Sequence, residues 1–265
     1  MAGARRKRLV GMLHLPALPG SPRASLPMRD IEARALDEAR ILAEAGFDGC
    51  VIENFGDTPF HEERVEPVTI AAMTRVVATV RRELADLRLG VNVLRNDARA
   101  ALSIAAAAGA HFVRVNVHVG VTATDQGILE GRAAETLRLR RGLAADIEIW
   151  ADVHVKHGRS LAHREITHEA ADAVQRGLAD ALIVTGGGTG WTTEIDDLRA
   201  VRGLTLGVPV YVGSGVTERN VGVFLKETDG VIVGTSLKVD GCSSNPLDAE
   251  RVRRFVEAAR QPSTP

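Results

Sequence analysis

The residues that could do chemistry stand in two short ladders. Arg114, Asn116 and His118 are spaced two apart, and so are Asp152, His154 and Lys156. That spacing puts each trio on one face of a β-strand and turns Val115, Val117, Val153 and Val155 to the other. A carboxylate, imidazoles and cations gathered on one face can move a proton or steady a developing negative charge. Left unused and unpaired, the same groups would only cost stability. Other strand-like runs end in similar residues: His14 on the first, Glu53 and Asn54 on the second, Asn92 on the third with Arg95 and Asn96 just beyond, and Thr185 on the sixth. Asp152, Glu53, Arg114, His154 and Lys156 make up the expected catalytic set. His14, Asn54, Asn92, Asn96, Asn116 and Thr185 make up the expected substrate-binding set. The purely structural alternative is an internal salt-bridge network of Arg114, Asp152 and Glu53 that plugs the fold.

Two glycine-rich loops supply a second kind of chemistry. Val212-Gly213-Ser214-Gly215-Val216 and Val233-Gly234-Thr235-Ser236 each follow a β-branched run. Glycine lets the backbone approach a ligand closely, and amides there can bind an anion. Either loop alone would read as a tight turn. Together they mark Gly213, Ser214, Gly215, Gly234, Thr235 and Ser236 as an expected phosphate site. A third run, Gly186 to Gly190, lacks the ending of a nucleotide-triphosphate loop and reads as an active-site loop with Trp191 as a stacking or lid residue.

The elements that must carry these residues alternate. Strands are expected to begin near Leu9, Asp48, Leu89, Phe112, Ile147, Ala181, Pro209 and Val231, each followed by a helical pattern. The helices run over 31–45, 67–84, 98–108, 132–143, 167–176, 195–203, 218–226 and 248–259, with Asp30, Asp97, Thr217 and Asp248 as N-caps. Eight strand-then-helix units in 265 residues predict an α/β protein, a single (β/α)8 TIM barrel over 1–265, with an open doubly wound sheet as the alternative. In a barrel the active site lies where strands end and loops begin, and the last two loops commonly hold phosphate.

Composition excludes several classes. A net charge of −1, with no basic stripe outside the first eight positions, speaks against nucleic-acid binding. That run is read as a solvated tail, and 261–265 as disordered. No signal peptide or membrane helix is evident, so a cytoplasmic protein is expected. Cys50 and Cys242 are far apart and are expected to be reduced and structural.

The segments with chemistry also carry a resemblance. His14 to Pro22 (HLPALPGSP), Val51 to Phe60 (VIENFGDTPF), Gly90 to Asp97 (GVNVLRND), Arg114 to Gly131 with its TDQG stretch, Ala151 to His157 (ADVHVKH) and the two glycine loops are similar to the BtpA family over nearly the whole chain. The resemblance implies a ribulose-phosphate-binding-barrel-like fold. The family's name comes from a role in photosystem I biogenesis, and some members look like enzymes of sugar metabolism. Against the family pattern, Gly187 and Gly188 replace small alanines and His118 replaces a leucine.

The function expected from these readings is an enzyme acting on a phosphorylated sugar or a phosphoribosyl, nucleotide-like compound. Carboxylate acid/base chemistry would serve isomerisation, epimerisation or aldol cleavage, or transfer at a glycosidic bond. The alternative from another class is a non-catalytic assembly factor of the BtpA type. No cofactor is expected. Glu53, Asp152, His154 and His14 could converge on a divalent metal, but no close-spaced ligand motif requires one. The expected partner is a phosphorylated small molecule, with neither nucleic acid nor membrane, and a symmetric homo-oligomer is expected as for many barrels.

Overall fold

The computed structural model describes residues 6–143, 145–154, 158–162, 165–186 and 193–261. Lys156 and the 187–191 part of the third glycine run lie outside the described residues.

Eight parallel strands close into a barrel: β1 (Arg8–His14), β2 (Gly49–Glu53), β3 (Arg88–Asn92), β4 (Phe112–Val115), β7 (Glu148–Val153), β9 (Ala181–Val184), β10 (Val210–Val212) and β11 (Gly230–Val233), with β11 returning to β1. The helices between and after them are α1 (Met28–Ala45), α2 (Pro67–Glu83), α3 (Ala98–Ala108), α4 (Ala133–Gly142), α5 (Ile166–Gln175), α6 (Ile195–Gly203), α7 (Val221–Glu227) and α8 (Ala249–Arg260). The closed barrel thus replaces the open-sheet alternative, and every expected strand and helix is present.

Two features differ from expectation. An additional three-stranded antiparallel sheet, in the order β6-β5-β8, is built from β5 (Val121–Thr124), β6 (Gly127–Glu130) and β8 (Gly158–Ser160) in the loops after β4 and β7. Arg8 begins β1, Arg6 pairs with Asp48, and Lys7 Nζ donates to the Thr228 carbonyl, so the basic run is partly tied to the barrel rather than a free tail. Of the expected caps, Asp97 accepts from the Ala100 amide and Asp248 from those of Glu250 and Arg251. Asp30 lies inside α1, behind Pro27, and Thr217 precedes α7 by a turn that Asn220 closes.

Alternation along the strands sorts side chains into two cores. One set packs between barrel and helices. The other fills the barrel: Val10, Met12, Val51, Phe112, Trp150, Ala181, Ile183, Tyr211 and Ile232. Trp150 stacks between Phe112 at 3.9 Å and Tyr211 at 4.3 Å. Gly90 makes room for this stack, since a Cβ there would lie 2.3 Å from the Phe112 ring. These rings pack the barrel's lower half, and its upper end holds a cavity.

The register is pinned from below. Asp48, Asp180 and Asp229, each one residue before a strand, accept the amides of Leu9, Ile149 and Val210 on the neighbouring strand at 2.8, 2.8 and 2.9 Å. His111 does the same before β4, its Nδ1 accepting from Leu89 N at 3.0 Å. An imidazole nitrogen accepts only when unprotonated. Burial, with Arg88 and Arg81 nearby, holds His111 below its ordinary value of 6.5, and burial does the same to His118. A lowered folded-state value leaves this stability fully present above about pH 6.5 and removes it as pH falls through the lowered value. Between pH 7.5 and 5.5 the protein is therefore expected to lose stability in urea denaturation, and His111→Asp, which copies the other three pins, is expected to lose less. An equal loss in the variant would show that the pin does not carry the effect.

Candidate active site

The open end of the barrel holds a cavity of about 460 Å³. Its floor and walls bring together His14 of β1, Glu53 of β2, Arg95 beyond β3, Arg114 of β4 with Asn116 just past its end, and both glycine loops, Gly213 to Thr217 and Gly234 to Ser236.

Arg114 lines the floor and is held there by Asp152. Arg114 donates Nε to Asp152 Oδ1 at 2.9 Å and Nη2 to Oδ2 at 3.0 Å, with both side chains buried. Asn116 adds a bond to Oδ2 at 2.8 Å, and Asn92 bonds the Arg114 carbonyl and Asn116 Oδ1 at 3.0 and 3.1 Å. Burial acts against the Arg114 charge, but the Asp152 carboxylate and then Glu53 more than offset it and hold the guanidinium above its ordinary value. Asp152 itself does not line the cavity; it orients Arg114, which does.

Glu53 and His14 sit on adjacent strands in register. His14 Nδ1 lies 2.9 Å from the Ser243 carbonyl, which can only accept, so Nδ1 carries the hydrogen. Nε2 then faces Glu53 Oε1 at 3.8 Å, and the imidazole stacks on Phe55 at 4.3 Å. A carboxylate and an imidazole held this way can exchange a proton with each other or with a ligand between them. Arg95, also buried, lines the same cavity. Burial pulls its guanidinium below the ordinary value, against Glu53, Asp152 and Asp125.

The two glycine loops are joined to each other and to the wall. Ser236 Oγ donates to the Val216 carbonyl at 2.8 Å, and Thr235 Oγ1 meets Ser243 Oγ at 2.8 Å. Gly213 is small because a Cβ would sit 2.5 Å from Ile183, and Gly215 takes φ +68°. Ser214 Oγ is buried with no hydrogen-bond partner among the described residues. Lys238, just past the second loop, is fully buried and donates to Glu38 Oε2 at 2.8 Å, which fastens this loop to α1.

Several expected residues lie elsewhere. Strand alternation ends at Val153: His154 has φ +55°, and its ring turns to Glu169 of α5 at 3.8 Å. His118 likewise leaves the mouth and bonds the Gly177 carbonyl at 2.7 Å. Asn54 is spent on Asp57 and on the Leu94 amide, and Asn96 on both backbone groups of Val117. Thr185 is buried and donates to the His154 carbonyl. Because Asp152 and His154 do not join His14 and Glu53, the four-residue metal convergence does not form. Among the described residues no group of three His, Cys, Asp or Glu could hold a metal ion. No described helix is long and apolar enough to cross a membrane. Cys50 is buried, whereas Cys242 is exposed rather than part of a core.

The sequence reading missed Phe55, Phe60, Leu94, Asp125 and Gln126, all of which line the cavity. For the last two a signal exists: Val121 to Thr124 alternates and Asp125-Gln126 is a two-residue hairpin loop closed by Thr124 and Gly127, with Gly127 at φ +112°.

Comparison with known proteins agrees with this geometry. The model of the BtpA family matches residues 5–261. The chain belongs to the BtpA family. Photosystem I biogenesis protein BtpA of Synechocystis is 44% identical over 250 residues, covering 94% of this chain and 87% of that protein. An uncharacterized protein of Methanocaldococcus jannaschii is 44% identical over 97% of both chains. Among solved structures, phosphoribosyl anthranilate isomerase of Thermus thermophilus aligns with TM-score 0.56 at 12% identity, over 95% of this chain and 97% of that one. The (S)-3-O-geranylgeranylglyceryl phosphate synthase of Thermoplasma acidophilum, solved with sn-glycerol-1-phosphate, aligns with TM-score 0.60 at 16% identity, over 96% and 94%. At these identities the structural likeness is one of fold. The chain thus shares the barrel fold of these two enzymes.

The Arg114–Asp152 pair generates a stability prediction. Asp152→Ala leaves a buried guanidinium uncompensated and is expected to cost about 3–5 kcal/mol, whereas the double variant Arg114→Met, Asp152→Leu is expected to cost less. Urea denaturation of both measures this; a single variant as stable as the wild type would mean that water or Glu53 replaces the lost charge.

Proposed function

We propose that this protein is an enzyme acting on a phosphorylated sugar or phosphoribosyl compound, with Glu53 as the group that moves the proton. The observation that carries the proposal is that one cavity is lined at once by the Glu53–His14 pair, by the cations Arg95 and Arg114, and by both glycine loops. The phosphate is assigned to Gly213, Ser214 and Gly215 with Gly234, Thr235 and Ser236. The unpartnered Ser214 hydroxyl is a donor with nothing yet to bond. The folds of phosphoribosyl anthranilate isomerase and of the glyceryl phosphate synthase support the same assignment by analogy.

With the phosphate held at the glycine loops, the sugar carbons extend toward Glu53. The carboxylate would take or give a proton there, with His14 Nε2 as its exchange partner. Arg95 and Arg114 would hold negative charge that develops on a substrate oxygen. Asp152, committed to Arg114, is a positioning residue in this scheme rather than the acid or base.

The Synechocystis relative's name gives a second reading, in which the cavity binds a ligand but turns nothing over. A thermal-shift screen against sugar phosphates and phosphoribosyl compounds tests the binding common to both, and at least one is expected to raise the melting temperature. If none does, the phosphate assignment fails. With a turned-over substrate in hand, Glu53→Gln is expected to lower kcat by 10²-fold or more while keeping the ligand-induced shift, the scale of a lost acid/base group. Unchanged kcat would remove Glu53 from the chemistry, and absence of turnover of every stabilising ligand would favour the binding reading.

A further inference from the structure

Phenylalanine is used sparingly in this chain. Four of the six, Phe47, Phe112, Phe224 and Phe255, are core residues no more than 6% exposed. The other two, Phe55 and Phe60, are only half-buried, and both line the cavity. Both come from the loop after β2. Phe55 has His14 on one side of its ring, in a near-parallel stack at 4.3 Å and 16°. Leu94, Met12, Val216 and Ile232 complete an apolar wall. A sugar phosphate, with only small C–H faces, covers little of such a wall, whereas a planar ring covers it well.

A second, independent feature lies across the mouth. Four strands around the barrel from the loop after β11, the β5–β6 hairpin carries Asp125 and Gln126 into the cavity lining. Gln126 Nε2 donates to Asp125 Oδ2, and the hairpin's own Thr124 Oγ1 receives the Gln126 amide at 3.2 Å. This fixes the carboxamide, yet its Oε1 is buried with no partner among the described residues. Gln126 Oε1 and the Asp125 carboxylate are acceptors, and they call for a donor on the ligand, which the N–H edge of a ring supplies as well as a hydroxyl.

Resting on the phosphate reading above, we infer that the substrate is a phosphoribosyl compound bearing a planar nitrogen heterocycle, of the nucleoside 5′-monophosphate class. The phosphate sits at the glycine loops, the ribose crosses Glu53 and Arg95, and the ring lies along Phe55 and Phe60 with an N–H edge toward Gln126 Oε1. The cavity, at about 460 Å³, falls in the range of sites that enclose a ligand of this size. Base–aromatic stacking tolerates any heterocycle, so the aromatic wall supplies affinity while the hairpin selects the ring by its donors.

Calorimetric titration of the full-length protein with ribose 5-phosphate and with AMP, GMP, CMP and UMP tests this. At least one nucleotide is expected to bind roughly tenfold or more tightly than ribose 5-phosphate, the scale of one stacked base. Phe60→Ala and Gln126→Ala should each erase most of that advantage while leaving ribose 5-phosphate affinity as it was, which also certifies that the variants are folded. If ribose 5-phosphate binds and no nucleotide binds more tightly, or if the advantage survives both substitutions, the ring assignment is wrong and the phosphate reading stands. If neither ribose 5-phosphate nor any nucleotide binds, the phosphate reading falls and takes this inference with it.

Discussion

The bidentate bond between Arg114 and Asp152 is the interaction on which the rest of the site depends. Both groups are buried inside the barrel, where a lone charge would be intolerable, and each satisfies the other at 2.9 and 3.0 Å. Asn116 and Asn92 extend the pair into a chain of hydrogen bonds across β3, β4 and β7. The outcome is a guanidinium fixed at the cavity floor, its orientation set before any ligand arrives. Preorganised charge of this kind favours a transition state because nothing has to turn toward it during reaction.

What lies below and above the pair gives the cavity its shape. Below, the stacked rings of Phe112, Trp150 and Tyr211 pack the barrel interior with its aliphatic residues, aided by the missing side chain at Gly90. Above, the β5–β6 hairpin and the loop after β2 extend the walls beyond the strand ends. The glycine loops form the remaining side and are anchored from behind by the buried Lys238–Glu38 ion pair. Burial pulls the Lys238 ammonium below its ordinary value even with Glu38 beside it. The acid-sensitive His111 pin lies at the opposite end of the barrel, so the fold's pH response is separated from the site.

The barrel was legible because its signals are local and repeated: β-branched runs, amphipathic helices and terminal glycines such as Gly46 and Gly109, both left-handed in the structure. The site was legible as far as strand geometry held. Period two carries Arg114, Asn116 and Asp152 inward but cannot foresee that β7 ends at Val153, where a positive φ swings His154 outward. Nor can spacing tell a side chain that lines the cavity from one spent on the backbone, which is the difference between Asn116 and Asn96. That Asp152 is bonded to Arg114 and Asn116 was hidden for the same reason: its partners come from another strand, and only the closed barrel brings them together. Phe55, Phe60 and Gln126 escaped notice because their loops join the cavity through tertiary packing alone.

The central claim for this BtpA-family barrel, whose open end joins two cations, a carboxylate–imidazole pair and two glycine loops, is that the loops hold a phosphate and thereby aim the substrate at Glu53. A crystal structure of the protein soaked with ribose 5-phosphate tests it most directly. The account predicts a phosphate within hydrogen-bonding distance of Ser214 Oγ and the loop amides, with the sugar carbons facing Glu53. A phosphate bound instead on Arg95 and Arg114, with the glycine loops empty, would contradict it.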